Sequence, residues 1–268
     1  MKLSKIIILS LGVVIMSFLY LSCTKNNKQL ATTDNDLSNS TTVQVFNAAV
    51  KSARNYVYVD GVPVSGSALA FGGVFPATAY AFKVNGGLRA FLIRDTLSTS
   101  TQPPLTFAEN MLIGRSYTIF TYDTFSIIKQ ITVLNNITVP TDSTSRLRFA
   151  NFIYNSTTAT NPSPAAVPNV DVYSYRRIPG TPSYPGAQTF PNFTGLTPVF
   201  SNVPTYQVTD FIPYASGITD SLYVFATGTT TPLITKSVVT TLTPQRSYTS
   251  VYTGSFKGTK TFSTFVTY

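Results

Sequence analysis

Four residues recur in this chain ahead of the same kind of segment. Arg115 to Thr118 stand in "LIGRSYTIFTYDT", and Arg246 to Thr249 in "LTPQRSYTSVYTG". After each, apolar and polar residues alternate, the period of a β-strand. A repeated strand start constrains the fold more than any single motif, because what surrounds the first copy must be built again around the second. The rest of the palette agrees. Thr, Ser, Val, Tyr and Phe dominate the 268 residues, and branched and aromatic side chains pack well on a pleated surface. Beyond the N-terminus no stretch keeps a helical period of apolar residues. The expectation is an all-β chain.

The copies also match where they begin. "TVQVFNAAV" (Thr42 to Val50) parallels "RLRFANFIY" (Arg146 to Tyr154), which sets Asn47 against Asn151. "NYVYVDG" (Asn55 to Gly61) parallels "NVDVYSY" (Asn169 to Tyr175). Alternation in Tyr56-Val57-Tyr58-Val59 predicts a strand with one buried face, and Asp60-Gly61 predicts a tight turn after it. "VNGG" (Val84 to Gly87) predicts a further hairpin between "AYAFKV" and "LRAFLI". The two tyrosines lie farther apart in sequence than the two asparagines, so the second copy is longer. Its extra residues are expected in "NSTTATNPSPAAVPN" and "RRIPGTPSYPGAQTFPNFTG", which are too rich in Pro and Gly for central strands.

In the second copy, Leu242, Pro244 and Tyr248 stand as L-x-P-x-x-x-Y. This resembles the tyrosine corner of immunoglobulin and fibronectin-type-III sandwiches, whose ring sits in the core while its hydroxyl bonds backbone upstream. The first copy keeps Tyr117, with Met111 in the Leu place and Ile113 in the Pro place. "RSYT" therefore reads as a structural corner carried by Tyr117 and Tyr248, not as an active site. The fold class expected is two tandem immunoglobulin/fibronectin-type-III-like β-sandwich domains, 42–140 and 145–268, joined through "NNITVPTDSTS" (Asn135 to Ser145). The opening "V-x-V-x-N-A", the "V-Y-V-D-G" hairpin and the late "G-x-S-Y-T" strand resemble the domain-of-unknown-function family 4397, common in lipoproteins of Bacteroidota. The resemblance covers residues 42 to 268 as one clear and one diverged copy. It implies a β-sandwich on the cell envelope and brings no catalytic residues.

Residues 1–22 read as a signal peptide. Lys2 and Lys5 precede an apolar run from Ile6 to Leu21. As a helix that run reaches about 24 Å, short of a hydrocarbon core of about 30 Å. It ends in "LSC", whose Cys23 is the only cysteine. The arrangement resembles a bacterial lipoprotein signal, which implies lipid on Cys23 and a membrane partner through it. A lone cysteine has no internal disulfide partner. The polar stretch 23–41 is expected to be a flexible tether. The resemblance implies an outer-membrane location and leaves both faces of that membrane open.

Composition excludes much chemistry. There is no histidine, so a Ser-His-Asp triad and a histidine-ligated zinc are impossible. The ten acids are scattered, with Glu109 the single Glu. No catalytic residue, cofactor or metal is expected. The net charge is +9, but only Arg176 and Arg177 are adjacent among the basic residues, unlike the clustered stripe of a nucleic-acid binder. No nucleic-acid partner is expected.

What remains is an envelope-anchored binding module for a protein or glycan. Its candidate surface is Arg176, Arg177 and Tyr184 in the long loops of the second copy, beside the strand residues Tyr173 and Tyr175. The alternatives are a glycan-binding accessory of a polysaccharide-uptake system and a pilus or assembly subunit. Three short stretches, "DTL" (Asp95 to Leu97), "DST" (Asp142 to Thr144) and "DSL" (Asp220 to Leu222), each resemble the O-glycosylation signal of Bacteroidota.

Overall fold

Among the described residues the chain forms eighteen strands and almost no helix. They are seen in a computed structural model that describes residues 37–77, 80–155, 167–176, 197–217, 219–234, 237–239 and 241–268. The first half contains β1 (Ser40–Asn47), β2 (Asn55–Val59), β3 (Val62–Pro63), β4 (Val74–Phe75), β5 (Phe82–Asn85), β6 (Gly87–Asp95), β7 (Leu105–Met111), β8 (Ser116–Tyr122) and β9 (Lys129–Leu134). The second contains β10 (Ser145–Tyr154), β11 (Val170–Arg176), β12 (Phe200–Val203), β13 (Gln207–Val208), β14 (Ile212–Tyr214), β15 (Asp220–Ala226), β16 (Ser237–Val239), β17 (Ser247–Ser255) and β18 (Lys260–Thr267).

Each half is a pair of sheets, and the pairs have the same plan. In the first, one sheet runs β4-β1-β8-β9 with β5 also on β1, and the other runs β3-β2-β6-β7. In the second, β13-β10-β17-β18 with β14 on β10 faces β12-β11-β15-β16. The middle of the first sheet in each half is a parallel pair. Val43 stands opposite Tyr117 on β1 and β8, and Leu147 opposite Tyr248 on β10 and β17. The duplicated segments thus occupy equivalent lattice positions. Asn47 at the end of β1 and Asn151 within β10 act alike, each Oδ1 accepting from the backbone N–H two residues on.

Among the described residues three large hydrophobic cores hold these sheets, beside a small cluster of Tyr223 and Phe225. Val43, Val45 and Ile119 pack on Val57, Phe91, Ile93 and Met111 within the first half. Leu147, Phe149 and Tyr252 pack on Val172, Phe200, Leu222 and Val224 within the second. The third core lies between the halves, where Phe46 and Phe120 meet Phe152, Val251 and Phe265. Phe46 stacks on Phe265 with centroids 5.4 Å apart, and Phe120 on Phe152 at 4.8 Å. The layers therefore run outer, inner, inner, outer, and Ser38–Tyr268 forms one compact unit. Both faces of β1, β8, β10 and β17 are covered, so their polar positions are buried along with the apolar ones. On β2, in an outer sheet, only one face is buried, as the Tyr-Val alternation requires.

Two turn expectations come out differently. Asp60 and Gly61 have φ of 50° and 80°, the positive pair that a two-residue hairpin needs, and β2 pairs with β3 across them. "VNGG" does not make a hairpin. β5 pairs with β1 in the inner sheet, whereas β6 pairs with β2 and β7 in the outer one. The chain changes sheets at Gly86, where an added Cβ would lie 2.4 Å from Ile113 Cγ1. Local turn chemistry fixes the bend, but it does not fix which sheet receives the next strand.

Candidate functional site

The repeated motif builds the site through its arginines. Tyr117 and Tyr248 turn their rings into the two half-cores. The Tyr117 hydroxyl accepts from the Leu112 N–H at 3.2 Å, and the Tyr248 hydroxyl from the Thr243 N–H at 3.0 Å. Each tyrosine thus ties the turn before its strand to the core. The neighbouring arginine is pinned through its backbone. The Arg115 carbonyl accepts from the Thr42 N–H at 2.9 Å and the Thr41 hydroxyl at 2.6 Å, and the Arg246 carbonyl from the Arg146 N–H at 2.8 Å. That leaves both guanidinium side chains exposed.

Because the inner sheets pack face to face, the two motifs meet. Arg115 and Ser116 from one copy and Arg246 and Ser247 from the other line a single open groove of about 700 Å³. Asn135, Asn136 and Val139 of the joining segment form one wall, and Thr267 and Tyr268 close the other side. Arg246 reaches the Tyr268 hydroxyl at a long 3.5 Å. Among the described residues no acidic side chain borders the groove. The ion pairs among the described residues lie elsewhere, at Arg54–Asp95, Arg89–Asp60 and Lys129–Asp123.

Beneath one wall lies a buried polar chain. Asn135 donates from Nδ2 to Ser116 Oγ at 3.0 Å and to the Tyr268 carbonyl at 2.9 Å. Its Oδ1 accepts from Arg148 Nη2 at 2.8 Å and from Thr118 Oγ1 at 3.1 Å. Arg148 also donates to Thr118 and, through Nε at 2.8 Å, to Thr249, whose hydroxyl bonds Thr267. This arginine is 1% exposed and lies over the Phe211 ring at 4.6 Å. Burial pulls its guanidinium down to about 9, with the Asp210 carboxylate acting in the opposite sense. It therefore carries its charge at neutral pH.

The surface expected from sequence falls elsewhere or outside the description. Cys23, Arg177 and Tyr184 lie outside the described residues, as do both Pro-rich insertions apart from their ends. Arg176 ends β11 opposite Asp220. Tyr173 is half-buried, edge-on to Phe225 at 5.2 Å, and so covers a neighbouring strand. Ser221 of "DSL" is buried inside β15, whereas Thr96 and Ser143 of the other two stretches are exposed. Sequence reasoning missed Arg115, Arg246, Asn135 and Arg148. The available signal was the repeated arginine itself, which the tyrosine-corner reading leaves without a role.

Among the described residues no group of three or more Cys, Asp or Glu could hold a metal, and no helix is long and apolar enough to cross a membrane. No family model matches the chain, and no curated protein matches it. Three solved structures share a loose likeness. A family-26 carbohydrate-binding module of Eubacterium rectale Amy13K in complex with maltoheptaose is 13% identical, with a TM-score of 0.26 over 84% of this chain and 96% of that one. The family-41 carbohydrate-binding modules of streptococcal virulence factors, described for alpha-glucan recognition, give 10% identity and 0.24 over 78% and 92%. A streptococcal virulence factor described for alpha-glucan binding gives 9% and 0.21 over 69% and 79%. At such TM-scores the likenesses carry no argument about this chain.

Proposed function

We propose that this chain is a non-catalytic glycan-binding module of the cell envelope, held to a bilayer by lipid on Cys23. The observation that carries the binding reading is the convergence of both "RSYT" copies on one groove. Open clefts lined by amides, hydroxyls and guanidinium groups, with a ring at the rim, suit a ligand rich in hydroxyls. Asn136, Thr138, Arg115, Arg246 and Tyr268 supply those groups here. The sequence has no histidine and, among the described residues, the groove has no carboxylate side chain, which supports binding without chemistry. The anchor rests on the "LSC" ending of the signal-like segment and on the resemblance to envelope lipoproteins.

Titration of the purified protein against a panel of neutral and acidic oligosaccharides, monitored by calorimetry, tests the binding reading. Binding that weakens in Asn136→Ala and Tyr268→Ala supports it. A protein that takes up no member of the panel contradicts it. Metabolic labelling with a palmitate analogue tests the anchor separately, through its loss in Cys23→Ala.

A further inference from the structure

We propose that the groove selects acidic glycans, gripping a carboxylate or sulfate of the sugar between Arg115 and Arg246. This rests on the glycan reading above and narrows it.

Two guanidinium groups border the groove, and a third lies buried behind its wall. Arg115 and Arg246 border it from equivalent positions of the two copies, and Arg148 lies buried at the end of the hydrogen-bond chain that begins at Asn135. Neither bordering arginine has a carboxylate partner among the ion pairs of the described residues. Arg148 is bonded to two hydroxyls and an amide rather than to an acid. Asp142 of the joining segment is outside the groove's lining, where its Oδ1 accepts from the Thr144 N–H and the Thr144 hydroxyl. Among the described residues the groove's charged side chains are thus the two bordering arginines, with no acidic side chain in its lining. Low-dielectric walls concentrate such a field, and planar guanidinium donors match carboxylate and sulfate geometry. A neutral sugar would leave this charge unused. The backbones of both arginines sit on turns tied down by Tyr117 and Tyr248, so only the side chains have to order when an anion arrives.

The test uses one backbone with and without charge: oligogalacturonate and its fully methyl-esterified form, titrated into the full chain at low and high salt. The expected result is binding of the acid form, weakened by salt, at least about tenfold weaker in Arg115→Gln and in Arg246→Gln, and a much weaker ester. Both side chains are exposed, so unchanged melting of the variants is expected and serves as the folding control. Equal binding of both forms overturns the charge selection and leaves the glycan reading standing. Failure of both forms, while a neutral glycan of the panel binds, overturns the selection in the same way. Failure of every glycan removes the reading beneath it as well.

Discussion

Arg148 on β10 places Nη2 3.0 Å from the hydroxyl of Thr118 on β8, so a cation from one half of the molecule is satisfied by the other. The contact exists because the inner sheets bury the faces that carry these two side chains. A guanidinium at 1% exposure is costly unless its donors are used. Thr118, Asn135 and Thr249 use three of its N–H bonds.

Removing that cation strands its acceptors. Arg148→Ala is expected to destabilise the protein by about 3 kcal/mol or more, since each unsatisfied buried group costs about 1–3 kcal/mol. Arg148→Lys is expected to recover only part of this, because an ammonium cannot reproduce the fork. Urea unfolding measures both. A loss within the ordinary surface range of about 0.5 kcal/mol would contradict the arrangement.

Two tyrosines four residues apart on β17 should respond to the same substitution with opposite signs. Tyr248→Phe deletes the hydroxyl bonded to the Thr243 N–H and should cost about 1 kcal/mol. Tyr117→Phe should behave likewise through Leu112. The Tyr252 hydroxyl is buried with no hydrogen-bond partner among the described residues, so Tyr252→Phe should be neutral or stabilising by about 1 kcal/mol. Thermal melts of the three variants decide the matter, and equal shifts for Tyr248 and Tyr252 would refute it.

The two halves should melt together. Phe152 is fully buried against Phe120 and Tyr122 of the other half, and Phe152→Ala should cost about 3–5 kcal/mol. Calorimetry of the unaltered protein is expected to show one transition. Two well-separated transitions, unaffected by Phe152→Ala, would mean that the central core does not couple the sandwiches.

Alkaline stability has a defined sign. Burial pushes the Tyr206 phenol up to about 12, aided by the Asp123 carboxylate. A group raised in the folded state contributes fully below its ordinary value, here 10, and that contribution is lost as pH climbs through about 12. Arg148 works the other way. Its folded value of about 9 lies below the ordinary 12.5, so its effect is a rise in stability across that interval. Tyr206→Phe should therefore lose less stability than the unaltered protein between pH 10 and 12. Melting temperatures across that window measure it, and parallel curves would rule it out.

Much of this was legible in the sequence because it is local. The strand composition, the Asp60-Gly61 turn with its positive φ pair and the one-sided burial of Tyr56 to Val59 follow from propensity and period. So does the duplication, whose matched residues occupy equivalent register positions. The tertiary structure alone decided that Gly86 passes the chain between sheets and that Arg148 is interior. It alone decided that Arg115 and Arg246, far apart in the chain, share a groove. The reason is one of faces. A strand's alternation tells which residues share a side, but whether that side meets water or another sheet depends on packing between distant segments, which no local pattern records.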